Sequence, residues 1–261
     1  MARQYGRIYV PDSRDTNYPL QQLLESRPDC ETRTRQNWDD DNWLGNQGNK
    51  PYCVGYAWSH WLETGPIIHD VCSPAAMPDE IYFEAQKVDE WPGERYAGTS
   101  VRAGAKILKR MGFIASYYWA SKLHEIINAL LYAGPIVLGT NWYSRMSKPN
   151  KWGVMRARGG LQGGHAYLAT GVDIKRHRIR IRNSWGTKWG RAGRGFLRFS
   201  DVKRLLKQQG EACLAVEISK KSQLPLPAGC AVPEHSPAPV LPDMASPIPE
   251  KPDDDCSPEP E

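Results

Sequence analysis

The chain has 261 residues, 40% of them apolar, with ten Trp and twelve Tyr; that suffices for a sizeable core and excludes disorder for most of its length. The net charge of +5 is unevenly spread: residues 223–261 hold 11 of the 21 Pro, no Phe, Trp or Tyr, and one Lys against eight Asp and Glu. Residues 1–222 therefore carry +12, and the composition predicts a basic globular body, 1–222, followed by an acidic, Pro-rich flexible tail, 223–261. The longest apolar run, 126–139, is interrupted by Asn128 and by Gly134-Pro135 and falls short of the roughly 20 residues that a membrane span needs. The N-terminus has charges but no apolar stretch of the kind a secretory signal carries. The six Cys lie far apart with no CxxC pair, which fits free thiols in a reducing compartment. The expected location is cytoplasmic or particle-associated.

Residues 1–46 are polar and turn-rich, and the WDDDNW run at 38–43 is too charged for a core strand. From Cys53 the apolar residues Val54, Ala57, Trp58, Trp61 and Leu62 recur at helical spacing until Gly65-Pro66 ends the pattern. A second helix follows Pro78. A third runs from an N-cap at Ser100 to Gly112. A fourth spans 121–133, stops at Gly134 and hands over to a strand at 135–142. Beyond Arg158 the period falls to two, predicting strands at 165–174 and 178–185 joined by a tight turn at Lys175–His177. Ile179, Ile181 and Asn183 share one face of the second strand, and Arg178, Arg180 and Arg182 share the other, expected to be solvated. GFLRF adds a strand, Ser200 is expected to cap a short helix ended by Gly210, and ACLAVEI closes the body as a strand. Helices come first and mostly antiparallel strands follow, an α+β layout in which a helical left half and a β right half would face each other across a cleft.

Three residues can carry chemistry. Cys53 begins a helix, whose amides and dipole favour a thiolate, the nucleophile that acyl transfer needs. His165 follows Gly163-Gly164, where another backbone can approach closely. Asn183 ends a strand on its buried face and can orient an imidazole. Taken singly, each has an ordinary structural reading: a small buried thiol, a loop His, a turn Asn.

Taken in order, these blocks resemble the papain-like cysteine peptidases. They are Asn46-Gln47-Gly48, Cys53-Val54-Gly55-Tyr56-Ala57, Gly164-His165-Ala166, and Asn183-Ser184-Trp185-Gly186 continuing to Trp189-Gly190. The resemblance covers residues 40–200, and EIYFEAQ with GTSVRAGAKILKRMG extends it to the far wall of the cleft as in bacterial and phage-like members. It implies Cys53 as nucleophile, His165 as general base and acid, Asn183 as the residue orienting His165, and Gln47 as side-chain oxyanion donor beside the Cys53 amide. It further implies that Trp185 shields the His–Asn bond, that Trp189 serves packing, and that Gly98, Thr99, Ser100 and Gly164 line the substrate groove. This sequence departs from the family pattern at Lys50, where a second Cys is usual, and at Val54, where an aromatic is usual. His165 and Asn183 lie 112 and 130 residues after Cys53, so the His spacing is short. Gln47 stands near the start, which leaves no room for the long pro-segment of secreted members.

The implied activity is hydrolysis of peptide or isopeptide bonds through a thioester acyl-enzyme, with a protein or peptide substrate and no metal or organic cofactor. Two alternatives share the scaffold: a non-catalytic binding or structural component of an assembly, and an acyl transferase in which an amine replaces water. KRHRIRIR at 175–182 looks like a nucleic-acid patch, but strand geometry puts its Arg side chains on one solvated face, so nucleic acid is disfavoured as a partner. Acidic partners on the basic body remain an expectation. His69 and Cys72 have no second pair at zinc-ligand spacing, and GGLQGG at 159–164 is not placed as a dinucleotide loop. The tail is either a plain linker or a screen that dwells on the basic face near Arg178, Arg180 and Arg182.

Overall fold

The computed structural model describes residues 5–25, 33–39, 43–69, 77–91 and 95–217. The acidic tail, the 222/223 boundary and Cys30, Cys72, Cys230 and Cys256 lie outside them. In chain order the elements are α1 (Leu20–Glu25), β1 (Arg35–Asn37), α2 (Cys53–Leu62), α3 (Met77–Gln86), α4 (Val101–Arg110), β2 (Ile114–Ala120) and α5 (Leu123–Tyr132). There follow β3 (Ile136–Tyr143), β4 (Val154–Met155), β5 (Leu161–Asp173), β6 (Arg178–Arg182), β7 (Arg194–Arg198), α6 (Phe199–Lys207) and β8 (Glu211–Glu217). The strands form one sheet in the order β2-β8-β3-β5-β6-β7-β4, with β1 added on β5. Every pairing is antiparallel except β4 with β7.

The period-two pattern sorts the core. Val137, Ala166 and Leu168 face Cys53, Val54, Ala57, Trp58 and Leu62 of α2 and Val101 and Leu108 of α4. Their strand neighbours Ile136, Leu138, Tyr167 and Ala169 face the opposite way, into a cluster with α5, α6, Trp142, Trp185 and Trp189. All ten residues of α2 are buried, one side against the sheet and the other against α3 and α4. Trp58 sits fully buried between them and donates its indole N–H to the Val101 carbonyl at 3.0 Å. Burying each such large apolar side chain contributes roughly 1.5–3 kcal/mol. The helical half and the β half are both present, as the α+β reading expects. The capping at Ser100 is also as expected: its hydroxyl accepts from the Ala103 amide at 3.1 Å.

The structure corrects several expectations. Residues 1–46 are not merely turns: they supply a 3-10 turn at Ser13–Asn17, α1 and β1. The strand β2 has no counterpart in the sequence reading, since Ser116 and the Tyr pair blur its alternation. Helix α6 starts at Phe199, one residue before the expected cap at Ser200, with Arg198 in the cap position and no side-chain bond. The turn after α6 uses Gln209 at φ 62, ahead of Gly210.

The largest correction concerns the Arg stripe of β6. Arg182 is wholly buried, and Arg180 and Arg178 are half-buried. Asp39, from the acidic run at 38–43, is buried as their counter-ion: Arg194 grips it through Nε at 2.8 Å and Nη2 at 3.2 Å, and Arg180 and Arg182 stand 3.3 and 3.7 Å away. Arg182 also reaches Thr64 Oγ1 at 3.1 Å and Glu63 at 3.4 Å on the α2 side. The stripe is thus not simply solvated: Arg182 ties β6 to the α2 side, and Arg180 and Arg178 are half covered. Among the described residues no helix is long and apolar enough to cross a membrane.

Candidate active site

Cys53 opens α2, preceded by Tyr52 in the cap position with no side-chain cap bond, so the first-turn amides are aimed at the thiol's end of the helix. The sulfur is fully buried. Backbone groups of Ala166, Gly6 and Val54 surround it, and the Arg7 guanidinium acts on it from farther off. Burial pushes the thiol up to about 11, and those backbone groups and Arg7 only partly offset it. A helix start alone predicted the opposite direction; exclusion of water outweighs the dipole here.

Ala166, which touches Cys53, is the neighbour of His165 on β5. His165 Nε2 lies 2.8 Å from Asn183 Oδ1. The Ser184 amide donates to the same Oδ1 at 2.9 Å, which identifies that atom as the oxygen. His165 must then donate from Nε2, and in the neutral ring Nδ1 is the basic nitrogen. Four aromatic rings enclose the imidazole. Trp142 stands edge-on with its centroid at 4.7 Å, Trp185 tilted at 5.0 Å, Tyr5 edge-on at 5.9 Å and Tyr167 at 6.0 Å. Trp185 thus sits against the His165 ring. Trp189 packs on Trp185 at 5.8 Å and donates to the Ser147 carbonyl at 3.2 Å, a packing position.

Gln47 is buried six residues before Cys53. Its amide nitrogen donates to the Lys50 carbonyl at 2.8 Å, and its oxygen accepts from Ser184 Oγ at 2.5 Å. Its backbone amide donates to the Ser184 carbonyl at 2.9 Å. Ser184 therefore connects Gln47 on the helical side to Asn183 on the β side, and the loop before α2 is tied to the turn after β6. Sequence reading gave no role to Ser184, Trp142 or Tyr167: Ser184 meets Gln47 across 137 positions, Trp142 meets His165 from another strand, and Tyr167 follows His165 by two on β5.

Residues 5–8 run between the two walls beside Cys53. The Arg7 amide donates to the Gly164 carbonyl at 3.0 Å on one side. On the other, the Thr99 amide donates to the Gly6 carbonyl at 2.8 Å and the Ile8 amide to the Thr99 carbonyl at 3.0 Å, a parallel bridge. The fit tolerates no side chain on the lining: a Cβ at Gly6 would stand 1.7 Å from the Pro51 carbonyl oxygen, and one at Gly164 would stand 2.1 Å from the Arg7 carbonyl oxygen. Gly98, at φ +112, lies against the same segment. Ser100 is turned away to cap α4 and also donates to Glu90 at 3.1 Å. So Gly98, Thr99 and Gly164 meet an extended backbone here, and that backbone is the chain's own.

Among the described residues no group of three or more His, Cys, Asp or Glu is placed to hold a metal ion. His69 stacks on Trp61 with ring centroids 5.7 Å apart, and its sequence companion Cys72 lies outside the described residues. A 610 Å³ surface cavity lies away from Cys53, among Val154, Arg176, His177, Arg178, Arg198, Phe199 and Ser200.

Comparison with known proteins agrees with this fold. No curated protein sequence matches the chain. Among solved structures, the chain is similar to xylellain, a cysteine protease from Xylella fastidiosa, at TM-score 0.60 and 19% identity, over 82% of this chain and 97% of that one. It is similar to the digestive procathepsin L2 proteinase of Tenebrio molitor at TM-score 0.55 and 14% identity, covering 82% and 78% of the two chains. The bromelain protease of Ananas comosus, in complex with the E64 inhibitor, matches at TM-score 0.52 and 13% identity over 70% of this chain and 99% of its own. The model of the papain family cysteine proteases matches residues 26–216, and on that match the chain belongs to the papain family and is a cysteine peptidase.

Proposed function

We propose that this chain hydrolyses peptide bonds with Cys53 as nucleophile, His165 as general base and acid, and Asn183 as the residue that orients His165. The observation that carries the reading is the 2.8 Å bond between His165 Nε2 and Asn183 Oδ1, with the oxygen identified by the Ser184 amide. That bond leaves Nδ1 to take the thiol proton, as a base beside a nucleophile must. The thiolate attacks the substrate carbonyl and the C–N bond breaks as His165 returns the proton to the leaving amine. Water, deprotonated by the same imidazole, then releases the acid from the thioester. Gln47 and the Cys53 amide would donate to the developing oxyanion. Trp185 and Trp142 keep water from the His165–Asn183 bond, which strengthens it.

An extended substrate would lie where residues 6–8 lie, on the backbone groups of Gly98, Thr99 and Gly164. The described form is thus closed, and its buried, protonated thiol fits a resting state. Withdrawal of residues 5–8 admits both water and substrate, and with them the normal advantage of the helix start for a thiolate. The test is turnover of a denatured protein substrate by the full chain. Cys53→Ala will abolish it, and Gln47→Ala will lower kcat on the order of 10²–10³-fold, the usual loss for one oxyanion donor. Asn183→Ala will cost less, because Asn183 moves no proton. Retained turnover in Cys53→Ala removes the reading.

A further inference from the structure

We infer that the basic cavity between the 175–177 turn and the start of α6 docks an acidic segment of the protein substrate, remote from the bond that is cut. The word substrate rests on the peptidase reading; the anion site itself rests on geometry.

Charge is spread unevenly through the body of the chain. Residues 126–210 hold 17 of the 34 Lys and Arg but only two of the 29 Asp and Glu, Asp173 and Asp201. Both acids are already engaged: Asp201 faces Arg156 Nε at 3.2 Å, and Asp173 takes Arg176 Nη1 at 2.9 Å. Part of the surplus lines the 610 Å³ cavity, where Arg176, His177, Arg178 and Arg198 stand beside Val154 and Phe199. The walls are fixed to one another. The Phe199 amide donates to the His177 carbonyl at 2.9 Å, and the two rings meet edge-on at 5.7 Å, which holds the turn against α6.

The arginines repel one another and leave a donor over. Arg178 and Arg198 are directly opposite on β6 and β7, so their side chains share one face. Like charges in that relation destabilise a sheet. Burial pushes the Arg178 guanidinium down, Asp173 opposes that, and Arg176, Arg35 and Arg191 push it down further. Asp173 is 3.9 Å from Arg178 Nη2, beyond hydrogen-bond reach. Arg178 Nε is covered from solvent and has no acceptor among the described residues. The Phe196 ring lies against this guanidinium, its centroid 4.0 Å from Cζ, and holds it in place. An anion between Arg178 and Arg198 turns their repulsion into attraction and supplies acceptors for a charge-assisted bond. The cavity exceeds one small anion, and Val154 and Phe199 give it an apolar wall. That suits Asp and Glu side chains entering from a peptide better than the continuous phosphate track of a nucleic acid.

Position says what the docking does. Asp173, which faces Arg176 and Arg178, lies eight residues from His165 along β5, about 26 Å at roughly 3.3 Å per residue. A substrate held at both places needs at least about eight extended residues between its acidic segment and the scissile bond.

The experiment uses the full chain and a fluorescein-labelled peptide rich in Glu, with binding read by anisotropy at low salt. Wild type will bind it, and Arg178→Gln/Arg198→Gln will weaken binding at least ten-fold. Lys109→Gln/Arg110→Gln, which removes the same charge from α4, will change binding less than two-fold. No binding by wild type, or equal weakening by the two double variants, overturns the inference. Tighter binding of an oligothymidylate of equal charge, lost with the same two arginines, overturns it in favour of nucleic acid. Turnover gives the second readout. Cleavable peptides carry a Glu run or a Gln run a dozen residues before or after the scissile bond. In one placement the Glu peptide will show a KM several-fold below its Gln counterpart at equal kcat, and Arg178→Gln/Arg198→Gln will erase the difference. Equal KM values in both placements overturn the substrate-docking role. Binding of the Glu peptide with no cleavage of any peptide sinks the peptidase reading and leaves the acidic-segment site standing. Arg176→Gln/Arg198→Gln, at two exposed side chains, repeats both arms if the first variant does not fold.

Discussion

Among the described carboxylates that face arginines, Asp39 and Glu211 behave in opposite ways. Asp39 has three guanidinium groups around it, all from the strands β6 and β7 or the turn before β7. Burial alone would raise its carboxyl, but the Arg194 hydrogen bonds and the charges of Arg182, Arg194 and Arg180 outweigh it and hold the group below its ordinary range. Among the described residues Glu211 is paired with Arg7, and for it burial wins, lifting the carboxyl to about 7. A buried charge is comfortable only when the scaffold over-supplies partners. Asp39 has that surplus and ties the sheet to α2. Glu211 depends on a guanidinium carried by a segment that lies across the cleft, so its charge balance follows that segment.

The largest expected effect separates the two sites by stability. Asp39→Ala leaves three arginines around an empty position and will cost about 3–5 kcal/mol, the loss typical of breaking a buried ion pair from one side. Arg7→Ala will cost less, about 1–3 kcal/mol, because Glu211 can take a proton near neutral pH instead of holding an unpaired charge. Urea unfolding at pH 7 measures both. If Arg7→Ala proves as damaging as Asp39→Ala, Glu211 does not take up that proton.

A smaller effect sharpens the contrast through pH. Asp39 has a depressed carboxyl, so its contribution is present above its unfolded value of about 3.8 and is lost as pH falls through the folded value. Glu211 has a raised carboxyl, so the folded state binds the extra proton and stability falls as pH rises from about 4.5 to about 7. Each group contributes a slope of at most about 1.4 kcal/mol per pH unit, of opposite sign. Glu217, lifted to about 7 mainly by burial, adds to the second slope, so the comparison must be wild type against Glu211→Gln rather than the bare curve. Removal of Glu211 will flatten stability between pH 4.5 and 7. An unchanged slope there would mean that Glu211 titrates as an ordinary carboxylate.

The smallest effect concerns the imidazole. Trp142→Phe keeps a ring edge-on to His165 but loses the indole bond to Ser147 Oγ, 3.0 Å long. It will lower kcat only a few-fold, about what a change in His165 packing without loss of a proton carrier costs. A loss comparable to that of Cys53→Ala would mean that Trp142 does more than pack.

Much of the fold was legible because its elements announce themselves locally. The spacing of Val54, Ala57, Trp58, Trp61 and Leu62 marks α2, Ser100 marks the start of α4, and alternation marks β5 and β6. The residues of the candidate site were legible for another reason: Gln47, Cys53, His165 and Asn183 stand in short motifs. What stayed hidden is long-range. Arg7 meets Glu211 across 204 positions, and Arg194 meets Asp39 across 155, so neither pair leaves a trace in any sequence window. The same gap explains the misplaced arginines of β6. Alternation gives two faces, but it does not say that a buried aspartate waits on the polar one. It explains the thiol as well, since the helix start is local and the segment that covers Cys53 comes from 47 residues upstream.

The central claim is that Cys53 is the nucleophile and that residues 5–8 cover it. A substitution at Gly6 tests both parts at once, because any Cβ there collides with the Pro51 carbonyl and must displace the segment. Wild type, Gly6→Ala and Gly6→Ala/His165→Ala are treated with a peptidyl epoxide such as E64, and the modified cysteine is mapped by mass spectrometry. The account predicts slow labelling of Cys53 in wild type, labelling at least ten-fold faster in Gly6→Ala and confined to Cys53, and near loss of it when His165 is also removed. Labelling of Cys213 or another cysteine in place of Cys53, or no acceleration in Gly6→Ala, would contradict it.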